Sequence, residues 1–235
     1  MSDPRQTQSP FTRPTFLISA VVVLLLIVAA LIVALTGGGS GDDPESAPAP
    51  TSSTSQPPKS DSACGLENGP QEPLTSAPPT TWELVGTIAA PQSKKFGPAK
   101  VSNGIHTCFA RSPVGALYAI ANYLAEGSDE SLSPRAVALA HWTPGPGKEQ
   151  AMKAEPEANA EGSVQIAAFK MLDYTPDRTT LNLVLKTDQG VYVSVPFTLV
   201  WADGDWKIPG DSEAGYNQEG TPVADLSGFV KWSGA

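Results

Sequence analysis

Few side chains in this sequence are of the kinds that do chemistry, and their spacing narrows what they could do. His106 and Cys108 stand two apart in "IHTC". Alternate residues of a strand share a face, so such a histidine could take the proton of a thiol and leave a nucleophile. The competing use of Cys108 is a bridge to Cys64, the other cysteine of the chain. His141, Asp173 and Tyr174 could line a polar pocket and carry acid–base work, although His141 comes from a different segment than the adjacent Asp173 and Tyr174. The acidic turn Asp203-Gly204-Asp205 starts like a calcium loop but lacks the downstream ligands, and it reads as turn chemistry. Neither Ser-x-x-Lys, nor Gly-x-Ser-x-Gly, nor a Cys/His zinc spacing occurs. The inventory therefore names no catalytic residue, no cofactor and no metal.

Charge argues against nucleic acid. From Trp82 onward there are 17 acidic and 12 basic residues, a balance that repels phosphates overall. Lys94, Lys95 and Lys100 form the one basic cluster. It reads first as a solvated loop, and otherwise as a contact for a membrane surface or an acidic partner.

The elements that must position these residues begin with a membrane anchor. Phe16 to Leu35, "FLISAVVVLLLIVAALIVAL", runs 20 residues without a charge, proline or glycine. At about 1.5 Å per residue this helix would be roughly 30 Å long, the thickness of a bilayer's hydrocarbon core. A cleaved signal peptide is the alternative, but its apolar region is usually about 7–15 residues and ends at a small-x-small site, which "LTGGGSG" matches poorly. Arg5 and Arg13 precede the span, and Asp42, Asp43 and Glu45 follow it. The positive-inside tendency puts residues 1–15 in the cytoplasm and everything after Leu35 outside. Residues 36–81, rich in Gly, Ser, Thr and Pro, have no apolar period and read as a disordered tether. Outside the membrane an even cysteine count favours a disulfide, so Cys64 and Cys108 are expected to bond. That bridge would pin the end of the tether onto the domain.

Residues 82–235 are long enough for one core, with a flexible tail expected from about 210. "SPVGALYAIANYLAEG" has Ser112 as N-cap, Pro113 at the first helical position and Gly127 as a stop. Val114, Leu117, Ile120, Ala121 and Leu124 fall on one helical stripe. "SPRAVALAHW" repeats the Ser-Pro start and carries Val137, Leu139 and Trp142, with His141 at the core margin. "KEQAMKAEPEANAEG" holds at most one more helical turn. The period then changes to that of strands in "SVQIAAFKMLDY", "TTLNLVLKT", "GVYVSVPFTLVW" and "DWKIP". Leu181, Leu183 and Leu185 mark one inward face, and Val191, Val193, Val195, Phe197, Leu199 and Trp201 the next. Pro196 demands a free edge or a bulge. Helices followed by an antiparallel meander predict an α+β domain with helices on one face of a curved sheet.

Within "TLVWADGDWKI" a two-residue turn at Asp203-Gly204 sets Trp201 directly opposite Trp206. Such an aromatic pair contributes about 0.5–1.5 kcal/mol beyond its burial. A clasp is the expected role; an aromatic platform for a sugar or peptide is the alternative.

Paired helices followed by a meander ending in "VWADGDWKI" resemble the cone-shaped nuclear transport factor 2-like (cystatin-like) fold, over about Ser112 to Pro209. The order of short cytoplasmic tail, single span, Pro/Ser tether and external cone is similar to actinobacterial membrane proteins. These include conjugation-system assembly factors related to the bitopic inner-membrane component of type IV secretion machines. "FARSPVGALYAIANYL" and "LSGFVKWSG" also look like that group. The resemblance implies a scaffold without an active site. The stretch from Cys64 to Arg111 departs from the basic cone.

The chain closes on Leu226, Phe229, Val230 and Trp232 after a polar, acidic stretch. This apolar tip docks either on its own domain or on a neighbouring subunit; Leu226, Phe229 and Trp232 are the candidate partner-binding residues. The expected function is a single-pass, extracytoplasmic protein–protein interaction module whose partners are other envelope or secretion-system proteins or a second copy. The alternative is a ligand-binding or enzymatic cone.

Overall fold

The computed structural model describes residues 62–154, 163–211 and 219–234. The expected cytoplasmic tail, membrane span and first part of the tether lie outside the described residues. Among the described residues no helix is long and apolar enough to cross a membrane.

The order of elements is β1 (Thr81–Val85), β2 (Ile88–Gln92), β3 (Lys100–Ser102), β4 (Ile105–Thr107), α1 (Pro113–Gly127), α2 (Pro134–His141), α3 (Pro146–Ala151), β5 (Val164–Thr175), β6 (Arg178–Thr187), β7 (Tyr192–Ala202), β8 (Asp205–Lys207), β9 (Thr221–Val223) and β10 (Val230–Lys231). This is a mixed α+β domain. Its antiparallel sheet has the order β10-β5-β6-β7-β8, with β9 also on β7, and two separate hairpins, β1–β2 and β3–β4, precede the helices.

α1 starts as its sequence dictates: the Ser112 side chain accepts the N–H of Gly115 at 3.1 Å, with Pro113 in the first turn. Burial is wider than the expected stripe, because Tyr118, Ala119, Asn122, Tyr123 and Glu126 are buried too. The stretch from Cys64 to Arg111 supplies the reason. It folds into hairpins, and Asn122 donates to the Pro91 carbonyl in β2 at 3.0 Å, so the helix is enclosed on a side that would otherwise be wet. Gly115 is needed there, since an added Cβ would lie 1.9 Å from the Ala110 carbonyl oxygen. α2 begins on Ser133, which accepts the N–H of Ala136. Its buried residues are Ala138 and His141, while Leu139 is exposed.

In the sheet, Leu181, Leu183 and Leu185 of β6 stand opposite Phe197, Val195 and Val193 of β7. The expected inward faces therefore form one surface, although Val191 precedes β7 and is exposed. Irregularities in β5 fall between Ile166 and Ala168 and between Met171 and Asp173. Pro196 pairs with Asn182 of β6 on one side, and on the other it stands between the residues paired with β9 (192–194) and those paired with β8 (200–202), the kind of free edge a proline in a strand requires.

β9 and β10 lie on opposite edges of the sheet, so residues 224–229 carry the chain from one edge to the other. Ala168, Val184 and Ser194 pair in a row out of phase with the core leucines and are buried all the same. The crossing segment, residues 224–229, lies between the two edge strands in sequence. Leu226 and Phe229 belong to it and are half-buried.

Residues 62–80, read from sequence as tether, lie against the domain. Ala63 donates to the Gly204 carbonyl at 2.9 Å, Gln71 to the Arg111 carbonyl at 2.8 Å, and Leu74 packs on the core. Thr80 and Tyr118 share a hydroxyl hydrogen bond of 2.8 Å.

Candidate functional site

The two histidines come from different elements, β4 and α2, yet the fold brings both to one carboxylate, Glu126 in the last turn of α1. The backbone N–H of His106 donates to Glu126 Oε1 at 2.7 Å, and its Nδ1 lies 3.3 Å from the same oxygen. His141 Nε2 lies 2.6 Å from Oε2. All three residues are buried. Burial raises the Glu126 pKa, but the donors from His106 and His141 outweigh it and hold the carboxyl below its ordinary value. Burial pushes the His141 imidazole down, against the pull of Glu126. The pair that results is an ionised carboxylate and a neutral imidazole donating through Nε2. The Nδ1 of His141 has no hydrogen-bond partner among the described residues, which a neutral ring tolerates and an imidazolium does not. Tyr123 stacks on His141 with ring centroids 3.7 Å apart and donates its hydroxyl to the Trp206 carbonyl at 2.6 Å.

The second buried carboxylate is Asp205, at the start of β8. It accepts three backbone N–H groups, from Cys108 at 2.7 Å, Phe109 at 2.9 Å and Trp206 at 3.0 Å. Burial raises its pKa, and those donors and Lys207 oppose the rise. Asp203 and Gly204 take the positive φ values, 55° and 77°, of the two-residue turn before it. The acidic turn thus divides its labour: Asp203 shapes the hairpin, and Asp205 faces inward to hold the segment at Cys108.

Cys64 and Cys108 form a disulfide, their Cα atoms 5.8 Å apart. Cys108 is therefore no free nucleophile for His106. Asp173, Tyr174 and His141 are engaged separately: Asp173 is exposed on β5, Tyr174 donates to Gln71 at 2.9 Å, and His141 is held by Glu126. Among the described residues no group of His, Cys, Asp and Glu is arranged to hold a metal ion.

Trp201 and Trp206 pair across the hairpin with centroids 5.4 Å apart at 75°. Trp206 is fully buried and donates to the Ala110 carbonyl at 3.0 Å, while Arg111 lies over the Trp201 ring at 5.7 Å. One face of the pair is thus shut into the core and the other is capped by a guanidinium, which suits a clasp better than an open platform.

Trp232 must be removed from the partner-binding residues. It is 5% exposed, 4.7 Å from Trp82, stacked on Tyr118 at 5.8 Å, and its indole donates to Thr80 at 2.9 Å. An indole satisfied on all sides by its own domain offers a partner nothing. Leu226 and Phe229 stay half-buried at the surface.

Glu126 is the residue the sequence reading passed over. A lone acid inside the apolar run "YAIANYLAEG" signals a buried carboxylate in need of donors, but not which donors arrive.

Searches of curated proteins and of solved structures each returned no match. The model of a family described as a domain of unknown function (DUF8175) matches residues 43–231. With most of its length so matched, the chain belongs to the DUF8175 family.

Proposed function

We propose that this chain is a membrane-anchored, extracytoplasmic protein–protein interaction module that scaffolds an assembly of the cell envelope, of the conjugative, type IV secretion-like kind. The apolar run Phe16–Leu35 supplies the anchor, and the domain after it reads as a cone that works outside the membrane. The observation that carries the scaffold reading is that the side chains fit for chemistry are used to hold the domain together. Glu126, His141 and Asp205 are buried and engaged, and Cys108 is tied to Cys64. The bridge suits an oxidising compartment outside the cytoplasm. The surface in turn exposes Leu84 on β1 and Leu172 on β5, apolar contacts of the kind interfaces use.

Photo-crosslinking residues placed at 84 and 172 of the full chain test this in native membranes. The expected result is a discrete crosslinked protein at one of the two positions. Illumination that yields only the uncrosslinked chain at both withdraws the scaffold reading.

A further inference from the structure

We propose that the turn bearing Lys94, Lys95 and Lys100 seats the domain on an anionic lipid headgroup surface; this rests on the membrane-anchored reading above. Three of the 12 basic residues from Trp82 onward fall between positions 94 and 100. All three are exposed, and none forms an ion pair among the described residues. The turn that presents Lys94 and Lys95 is held firmly, and Lys100 opens β3 just after it. Ser93 and Gly97 exchange two backbone hydrogen bonds of 2.9 Å, and the Ser93 hydroxyl accepts the N–H of Lys95 and of Phe96. Phe96 points inward and meets Tyr118 edge-on at 6.4 Å. Lys94 and Lys95 therefore stand on a fixed base, the Lys95 ammonium 5.3 Å from the centre of the Phe96 ring.

Their place in the fold gives them a target. Ala99 donates to the Cys108 carbonyl at 3.0 Å, Lys100 pairs with Thr107, and Cys108 is bonded to Cys64. The basic turn thus stands beside the point where the chain arrives from its N-terminal side. The apolar run Phe16–Leu35 precedes this end of the domain in the sequence, so on the membrane-anchored reading this is the end that the anchor tethers. Apart from these three lysines, 17 acidic residues face nine basic ones from Trp82 onward. The remainder of the domain is repelled by an anionic surface, and that repulsion orients the lysine turn toward it.

The test uses the full chain in nanodiscs of zwitterionic lipid alone and with one-third anionic lipid, with an amine-reactive reagent and mass spectrometry as readout. Lys170 and Lys186, exposed on β5 and β6, serve as internal references. In anionic discs Lys94, Lys95 and Lys100 are expected to label about fivefold more slowly than in zwitterionic discs, and the difference should vanish at high salt. Hydrogen exchange over residues 93–100 should slow in the same discs, and the Lys94→Gln/Lys95→Gln/Lys100→Gln variant should lose that protection. Equal labelling in the two discs overturns the inference and leaves the anchor standing. Protection seen only in native envelopes, and not in lipid discs, assigns the turn to an acidic protein and overturns it as well. A chain that does not enter the discs takes down the anchored reading together with the inference.

Discussion

Asp205 in β8 accepts the backbone N–H of Cys108 at 2.7 Å, across a separation of 97 residues. That bond ties the final hairpin of the sheet to the segment that carries the disulfide, and it sits where the backbone of Cys108 takes a φ of 72°. In the Asp205→Asn variant, whichever side-chain atom becomes NH₂ faces an N–H and leaves a donor orphaned. The expected loss is about 1–3 kcal/mol of unfolding free energy, read by urea denaturation under non-reducing conditions.

Acid should weaken the clasp at Glu126 in two stages. Both His141 and Glu126 have pKa values lowered in the fold, so the unfolded chain takes each proton first. Their stability is present above the unfolded values and is lost as pH falls, first below the ordinary histidine value of 6.5 and then below the ordinary glutamate value of 4.5. Asp205 is shifted upward and works in the opposite direction. His141→Asn should flatten the upper stage of a melting-temperature profile between about pH 7 and 5. An unchanged slope there would assign the acid sensitivity to other groups.

Trp232 and its neighbours in the crossing segment separate fold from surface. Trp232→Ala removes an indole enclosed by Trp82, Tyr118 and Phe169 and should cost about 3–5 kcal/mol. Leu226→Ala and Phe229→Ala act on half-buried side chains and should each cost about 1 kcal/mol or less. Chemical denaturation of the three variants in parallel gives the comparison.

Removing the bridge should act on both the unfolded chain and the start of the domain. A loop closed between residues 64 and 108 stabilises by about 4 kcal/mol on the chain-entropy account. Cys64→Ser/Cys108→Ser should lose much of that, and the amide of Ala63, which donates to Gly204 in the hairpin turn, should exchange far faster. Retained protection at Ala63 would show that the segment holds without its disulfide.

The aromatic clasp is open to a double-mutant cycle. Trp206→Ala empties a fully buried site and should destabilise by about 3–5 kcal/mol, and Trp201→Ala, half-buried beneath Arg111, by less. Their coupling should come to about 0.5–1.5 kcal/mol.

By itself the sequence determined what is local. Ser112-Pro113 and Ser133-Pro134 announce helix starts because capping needs only residues within one turn. Alternation located β6 and β7, and Asp203-Gly204 dictated the register of Trp201 on Trp206, because a two-residue turn leaves no other pairing. Tertiary structure decided whatever depends on distant segments meeting. Residues 62–80 carry no apolar period, so nothing local shows that they lie against the domain. The hairpins between Thr81 and Thr107 enclose α1 and turn its one apolar stripe into all-round burial. His106 and His141 meet at Glu126 because β4 and α2 converge on the end of α1, and Trp232 is core because β10 returns to the edge of β5. Such meetings are fixed by the packing of the whole domain, where the energy of a contact is independent of the sequence distance it spans.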